Sequence, residues 1–310
     1  MRRLDPKWGA LLMMALVTGC AGSEKSPERA EGGPLRVLAT TGMVADAARV
    51  IGGDAVEVTA LMGPGVDPHL YKASESDVRA LSGADLVLYN GLHLEGKMAE
   101  LFTRLAAKRH VVALADGVPD SLLLHPKAFE GQPDPHLWFD VALWSRAVAQ
   151  ARDALVEAHP AHREAFHARA AAYLDTLRAL EAWTRAELAL IPEQQRVLVT
   201  AHDAFGYFGH AYGVEVVALQ GISTVSEFGL ADVRRLVDLI VKRRVKAVFV
   251  ESSVPHRSIE AVVEGCRARG HQVSIGGTLY SDALGADGTP EGTYVGMVRA
   301  NVSMIVRSLR

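Results

Sequence analysis

The amino-acid sequence predicts an α/β fold of two lobes, each a mostly parallel sheet flanked by helices, joined by one long rigid helix. Three observations lead to this prediction. Short β-branched runs alternate with helical patterns after residue 34, the alternation stops between residues 140 and 190, and it resumes after Pro192. Continuous apolar strands that alternate with helices are typical of parallel sheets covered on both faces.

The N-terminal lobe is predicted to span residues 35–158. Its strand patterns are LRVLATT, VEVTALM, DLVLYN and HVVALA. Helical patterns separate these strands, namely MVADAARVIGG, SESDVRALSGA and residues 98–107. Ser74 is predicted to cap the second of these helices, since Asp77 follows three residues later, as in a capping box.

A single long helix is predicted to link the lobes across residues 159–191. The segment AHREAFHARAAAYLDTLRALEAWTRAELAL has no strand signal, and roughly thirty residues of helix would span about 45 Å. Apolar side chains recur in it at intervals of three and four, which predicts one buried stripe. The stripe consists of Phe166, Ala170, Tyr173, Leu174, Leu177, Leu180 and Trp183.

The C-terminal lobe is predicted to span residues 192–310. Its strand patterns are RVLVT, VEVVAL, VKAVFVE and HQVSIG. Helices are predicted at residues 230–243 and 258–270, and the amphipathic segment YVGMVRANVSMIVRSL closes the chain.

The first residues predict export from the cytoplasm. Basic residues precede the apolar run WGALLMMALV, which is too short to span a bilayer but typical of a signal-peptide core. The run ends in VTGC, which looks like a bacterial lipoprotein cleavage box with Cys20 as the lipid-modified first residue; the competing interpretation is an ordinary signal peptide with an incidental cysteine. Residues 1–19 are therefore predicted to be a signal peptide and residues 20–34 a flexible tether. The mature chain is expected in the periplasm or at the outer face of a bacterial membrane.

Composition and cysteine content give no support for a nucleic-acid partner or for disulfide bonds. The chain has 310 residues, 49% of them hydrophobic, and a net charge of -3, so nothing in its charge favours nucleic acid. If Cys20 carries lipid, Cys266 is the one cysteine left, which excludes an intrachain disulfide framework. We expect a monomer.

One pentapeptide pattern occurs twice, as DPHLY and DPHLW. Asp-Pro favours turns, so two similar turns are one interpretation; the other is that His69 and His136 serve one site. His202 directly follows a strand, and Asp282 lies in the loop after the last strand. Ligands of open α/β sheets bind beyond the carboxyl ends of strands, and imidazole and carboxylate are ligands of divalent transition metals. Two candidates thus come from each lobe, although their spacing alone does not establish a metal site.

Six longer motifs follow the order found in one protein family. They are GPGVDPHLYKASESDVRAL, YNGLHLEGKM, DPHLWFDVALW, TAHDAFGYFGHAYG, FVESSVPHRSIEAV and GGTLYSDALG. Nearly the whole mature chain resembles the solute-binding lipoproteins of bacterial ABC transporters for zinc, manganese and iron. The resemblance implies that His69, His136, His202 and Asp282 hold one metal ion in the interlobe cleft. It also implies delivery of the ion to a permease in the cytoplasmic membrane, with no catalytic residues.

A ligating imidazole usually donates its other N–H to a carboxylate or carbonyl. Glu251, Asp67 and Asp134 are the candidates for this second role, with turn formation through the side chain as the competing interpretation for the two aspartates. A zinc hydrolase with Glu251 as general base is the alternative function, but four protein ligands would close the position that water needs. A surface adhesin is a further possibility that the sequence leaves open.

The ligand set favours zinc as cargo, with manganese or iron as the alternative. Three nitrogens and one carboxylate suit tetrahedral zinc, and the usual affinity order places zinc above manganese and ferrous iron. In the family that the chain resembles, manganese and iron proteins often carry a glutamate at the position of His202. Many zinc-specific relatives carry a long His-rich loop before the second ligand, whereas this chain has no histidine between His125 and His136. Short-loop relatives with the same four ligands also take manganese.

Overall fold

The structure is a computed structural model and describes residues 33–310. The predicted signal peptide, Cys20 and most of the predicted tether lie outside the described residues. No helix within residues 33–310 is both long enough and apolar enough to cross a membrane. The predicted α/β architecture with parallel sheets and one long helix is confirmed, while the exact lobe boundaries stay predictions.

The N-terminal lobe contains a four-stranded, all-parallel sheet in the order β2-β1-β3-β4. Its strands are β1 (Leu35–Ala39), β2 (Val56–Ala60), β3 (Leu86–Tyr89) and β4 (His110–Ala113). All four correspond to predicted strand patterns. Because the strands are parallel, their carboxyl ends lie at one edge of the sheet, from which the loop that carries His69 leaves β2.

The C-terminal lobe contains two parallel strand pairs, β5 with β6 and β7 with β8, and β5 lies beside β7. The strands are β5 (Val197–His202), β6 (Glu215–Gln220), β7 (Ala247–Glu251) and β8 (Ser274–Leu279). The last strand begins three residues later than its predicted pattern, HQVSIG, and continues through two glycines. Gly276 and Gly277 leave no room for a Cβ atom, since Ser308 and Met304 lie against them.

The helices of the described residues match the predicted ones closely. They are α1 (Gly42–Gly52), α2 (Glu75–Gly83), α3 (Ala99–Ala106), α4 (Val141–Ala158), α5 (Arg163–Leu188), α6 (Gly206–Tyr212), α7 (Leu230–Arg243), α8 (Arg257–Ala268) and α9 (Tyr294–Leu309). Ser74 forms the predicted capping box with Asp77. Helix α4 lies in the stretch after residue 140 where the strand alternation stops, and no separate helix was predicted there. Helix α6 was not predicted either, because two glycines in seven residues weaken its helical pattern.

Helix α5 is the predicted linking helix. It has 26 residues, which gives a length of about 39 Å, and a short 3₁₀ turn over Pro160–His162 precedes it. Its buried face contains most of the predicted stripe. Leu174 and Trp183 are half-buried at the edge of that face, and Thr184 and Leu188 are buried in addition.

The two lobes share one hydrophobic core instead of meeting only at a hinge. Helices α1, α4, α5 and α9 contact one another, and the ring of Trp144 in α4 stacks on that of Tyr294 in α9 at 5.3 Å. The buried carboxylate of Asp46 in α1 accepts hydrogen bonds from the Tyr173 hydroxyl and from the backbone N–H of Tyr294, both at 3.1 Å. These contacts fix both lobes to the linking helix.

Asp46→Ala is expected to lower the free energy of unfolding by about 2–4 kcal/mol, because it leaves two buried donors without an acceptor. Urea denaturation measures this loss. Asp54→Ala, at an exposed position in the 3₁₀ turn that follows the same helix, is the matched control and should change stability by less than about 0.5 kcal/mol. Equal losses in the two variants would contradict the joining role of Asp46.

Candidate metal centre

The four predicted ligand residues come from both lobes and meet in the cleft between them. His69 follows β2 and His136 precedes a 3₁₀ turn over Leu137–Phe139. His202 is the last residue of β5, and Asp282 lies three residues after the end of β8. All four side chains are buried, and one ligand atom from each lies within 4.8 Å of the others.

The spacing of these atoms suits a metal ion. The Nε2 atoms of His69 and His136 are 3.2 Å apart. The nearer Asp282 oxygen lies 3.8, 3.5 and 3.2 Å from the Nε2 atoms of His69, His136 and His202, respectively. A tetrahedral zinc ion with bonds of about 2.1 Å separates its ligands by about 3.4 Å. These separations bracket that distance.

Several polar atoms in the cluster have no hydrogen-bond partner within residues 33–310. They include both carboxylate oxygens of Asp282 and Nε2 of His202. A buried polar atom without a partner is destabilising, and the cost is larger for a charged group. The nearby imidazoles lie at ion-pair distance without satisfying hydrogen-bond geometry. A cation at this point would supply the missing partner, so the residues fit a bound metal.

Two of the imidazoles are oriented by a carboxylate behind them. Nδ1 of His136 lies 2.7 Å from Oδ1 of Asp134, and Nδ1 of His202 lies 2.5 Å from Oε2 of Glu251. Glu251 also accepts the backbone N–H of His202 through its other oxygen, at 2.8 Å. The contact at His136 is a hydrogen bond and the contact at His202 is an ion pair. A carboxylate beside Nδ1 favours the ring proton on that nitrogen and leaves Nε2 available as a ligand atom.

Asp67 has a different arrangement. Its Oδ1 accepts the backbone N–H of His69 at 2.9 Å, the local turn that the sequence offered as the competing interpretation. Its Oδ2 accepts a hydrogen bond of 2.6 Å from the hydroxyl of Thr224, which belongs to the other lobe. Asp134 makes the same local turn with the backbone N–H of His136, in addition to its contact with the ring.

Burial and charge set the protonation of the cluster. Burial lowers the pKa of His69 to about 3, so this imidazole is neutral and ready to act as a ligand. Burial also acts to lower the pKa of His202, but the carboxylates of Glu251 and Asp282 outweigh it and raise that pKa well above its usual value. Burial acts to raise the pKa of Asp282, and the three imidazoles, His202 foremost, bring it below its usual range. The cluster therefore favours positive charge beside an ionised carboxylate.

Contacts that the sequence did not predict hold the site together. The indole N–H of Trp138 donates to the backbone carbonyl of Ser281 at 3.0 Å, next to Asp282. The rings of Phe139 and Phe205 stack at 4.2 Å, and the Tyr207 hydroxyl donates to the carbonyl of Asp134 at 3.1 Å. We call Trp138, Phe139, Phe205 and Tyr207 the aromatic layer. The only sequence signal for this layer is that its residues follow His136 or His202 within five positions.

Residues 37–308 match the protein family described as zinc-uptake complex component A periplasmic, ZnuA. The chain is 51% identical over 295 residues to the manganese-binding lipoprotein MntA of Bacillus subtilis (strain 168), covering 95% of each chain. It is 47% identical over 299 residues to the zinc-binding protein TroA of Treponema pallidum (strain Nichols), covering 96% of each chain. The solved structure of the periplasmic zinc-binding protein TroA from Treponema pallidum is similar at a TM-score of 0.88 and 49% identity, covering 89% of this chain and 99% of that chain.

Glu251→Gln is expected to weaken binding of a divalent metal by about tenfold to a hundredfold. The amide keeps the acceptor for the His202 backbone, but its NH₂ faces Nδ1 and drives the ring proton to Nε2, the proposed ligand atom. Calorimetric titration of metal-free protein measures the change.

Asp120→Asn is the matched control for this substitution, since Asp120 contacts His125 at 3.2 Å on the exposed surface. Metal affinity should be unchanged in the control. A Glu251→Gln variant with the parent's affinity would show that the carboxylate does not orient the ligand.

Proposed function

Since the chain belongs to the ZnuA family, the substrate-binding proteins of metal ABC transporters, we propose that His69, His136, His202 and Asp282 hold its cargo and that this cargo is zinc. The chain is the extracytoplasmic substrate-binding component of such a transporter. Its partner is the transporter's permease, to which it delivers the ion.

One observation carries the ligand assignment. Three imidazole nitrogens and a buried carboxylate converge at separations that suit a single ion, and both oxygens of Asp282 are otherwise without a hydrogen-bond partner within residues 33–310. A buried carboxylate whose oxygens accept no hydrogen bond is costly, even with imidazoles at ion-pair distance. A divalent cation provides that compensation here.

Capture requires no chemistry on the ion. Four protein ligands surround the cargo, and the second nitrogens of His136 and His202 each contact a carboxylate. Glu251 contacts His202 through both of its oxygens, so it is not free to activate water as a hydrolase would need. Members of the family are transport proteins and not enzymes, which excludes the hydrolase alternative.

Zinc is favoured by the donor set, because three imidazoles and one carboxylate form a typical zinc site and the usual affinity order places zinc above manganese. Manganese is the second candidate on two grounds. Both oxygens of Asp282 face imidazoles of the cluster, so bidentate binding would supply a fifth donor. The relative with 51% identity is named a manganese-binding lipoprotein.

Anchoring through Cys20 belongs to the same proposal. The VTGC sequence follows the apolar run, and relatives are named lipoproteins. A lipid on Cys20 with a polar tether behind it would keep the two lobes beside the membrane that contains the permease.

Zinc is expected to bind more tightly than manganese, and His202→Ala is expected to weaken zinc binding by at least about tenfold, or 1.4 kcal/mol. Competition titrations on metal-free protein measure both quantities. His210→Ala removes an exposed histidine from the nearby helix α6 and should leave zinc affinity unchanged. Manganese binding as tight as that of zinc, or unchanged affinity in His202→Ala, would overturn the assignment.

Cys20→Ala is expected to shift the exported protein from the membrane fraction to the soluble fraction, because the substitution removes the acceptor of the lipid. Fractionation together with fatty-acid labelling measures the shift. Labelling that persists in the variant would contradict anchoring at this residue, and Cys266→Ala, which leaves the cleavage box intact, serves as the control.

A further inference from the structure

The four proposed ligands are not held equally across the cleft. The aromatic layer links the chain around His136 to the opposite lobe through the Trp138–Ser281 and Tyr207–Asp134 hydrogen bonds and the Phe139–Phe205 stack. Every residue in these contacts lies within five residues of His136, His202 or Asp282. Three ligands are therefore connected to one another by direct contacts between the lobes.

The segment that carries His69 has a much weaker connection. This segment, residues 63–71, begins with three exposed residues, GPG, and His69 is the most exposed ligand, at 4% against 0–1% for the other three. Among hydrogen bonds of the described residues, only that from Thr224 Oγ1 to Asp67 Oδ2 joins this segment to the C-terminal lobe. The opposite oxygen of Asp67 holds the backbone N–H of His69.

Thr224 is itself held in place for this contact. It lies in the loop between β6 and α7, where its backbone carbonyl accepts a hydrogen bond of 2.8 Å from the side chain of Gln220. One carboxylate thus bridges a fixed hydroxyl on one lobe and the backbone of a ligand on the other. A hydrogen bond to an ionised carboxylate is stronger than one between neutral groups.

The His69 segment also borders open space. A cavity of about 310 Å³ lies between the lobes, and its lining includes Met62, Gly63 and Pro64 on one side and Leu284 and Gly285 on the other. A Cβ atom at Gly63 would meet no other atom within 4 Å. Open space therefore adjoins the start of the segment.

We propose that Asp67 and Thr224 are positioning residues whose hydrogen bond latches the His69 segment over the ion and so sets the rate at which the ion leaves. Release begins when this bond breaks and His69 withdraws, while His136, His202 and Asp282 stay in place. This inference rests on the proposed metal-binding function. It assigns to Asp67 a role across the cleft beyond the local turn with His69.

The test measures zinc release from the full-length protein loaded with one equivalent of zinc. A chromogenic chelator in large excess traps the released ion, and the rate is read at several chelator concentrations to establish that it reports spontaneous release. Thr224→Val, which keeps the shape of the side chain and removes the hydroxyl, is expected to release zinc about tenfold faster. Thr224→Ser, which keeps the hydroxyl, should release it at nearly the parent's rate.

Two comparisons separate the latch from a general loss of structure. Ser226→Ala removes an exposed hydroxyl from the same loop and should leave the release rate unchanged. The metal-free melting temperature of Thr224→Val should stay within the range of Ser226→Ala and Thr224→Ser. In an Asp67→Ala background, Thr224→Val should cause no further acceleration, because the bond is already lost.

The outcomes are distinct. An unchanged rate in Thr224→Val overturns the latch, as does equal acceleration in Ser226→Ala or full additivity with Asp67→Ala. A parent protein that retains no zinc overturns the proposed cargo itself. Zinc retained by the parent and released at the same rate by every variant leaves the proposed function standing and removes only the latch.

Discussion

The buried carboxylate of Asp282 is the constraint on which the rest of the structure depends. It faces three imidazoles, and its oxygens have no hydrogen-bond partner within residues 33–310. Such an arrangement costs free energy in the metal-free protein. The surrounding structure holds it in place, because the strands β5 and β8 end at the cleft and one hydrophobic core spans both lobes.

Local patterns account for the parts that the sequence predicted. Eight strands and most helices follow from periodicity and capping, since apolar alternation and the Ser74–Asp77 box act over a few residues. The convergence of His69 and His136 on His202 and Asp282 follows from the rule that ligands bind beyond strand ends, together with the family resemblance. Pairings between distant segments leave no local pattern, so the Thr224–Asp67 bond and the Trp138–Ser281 bond were beyond prediction.

The choice between zinc and manganese depends on how Asp282 binds. With one oxygen, the site has four donors and suits tetrahedral zinc; with two, it has five and becomes acceptable to a larger ion with less preference for imidazole. The carboxylates behind His136 and His202 increase the basicity of those rings for either ion. The proposed donor set is therefore compatible with either zinc or manganese.

A stiff scaffold creates a difficulty for delivery, because the ion must also leave. The linking helix and the shared core oppose a wide hinge motion, since opening one would break the packing of α1, α4, α5 and α9 together. Local release breaks fewer contacts between the lobes. Moving residues 63–71 would break one interlobe hydrogen bond and withdraw one of the four proposed ligands, while the aromatic layer would keep the other three together. Uneven attachment of the four proposed ligands would thus reconcile capture with release from a protein whose lobes share one core.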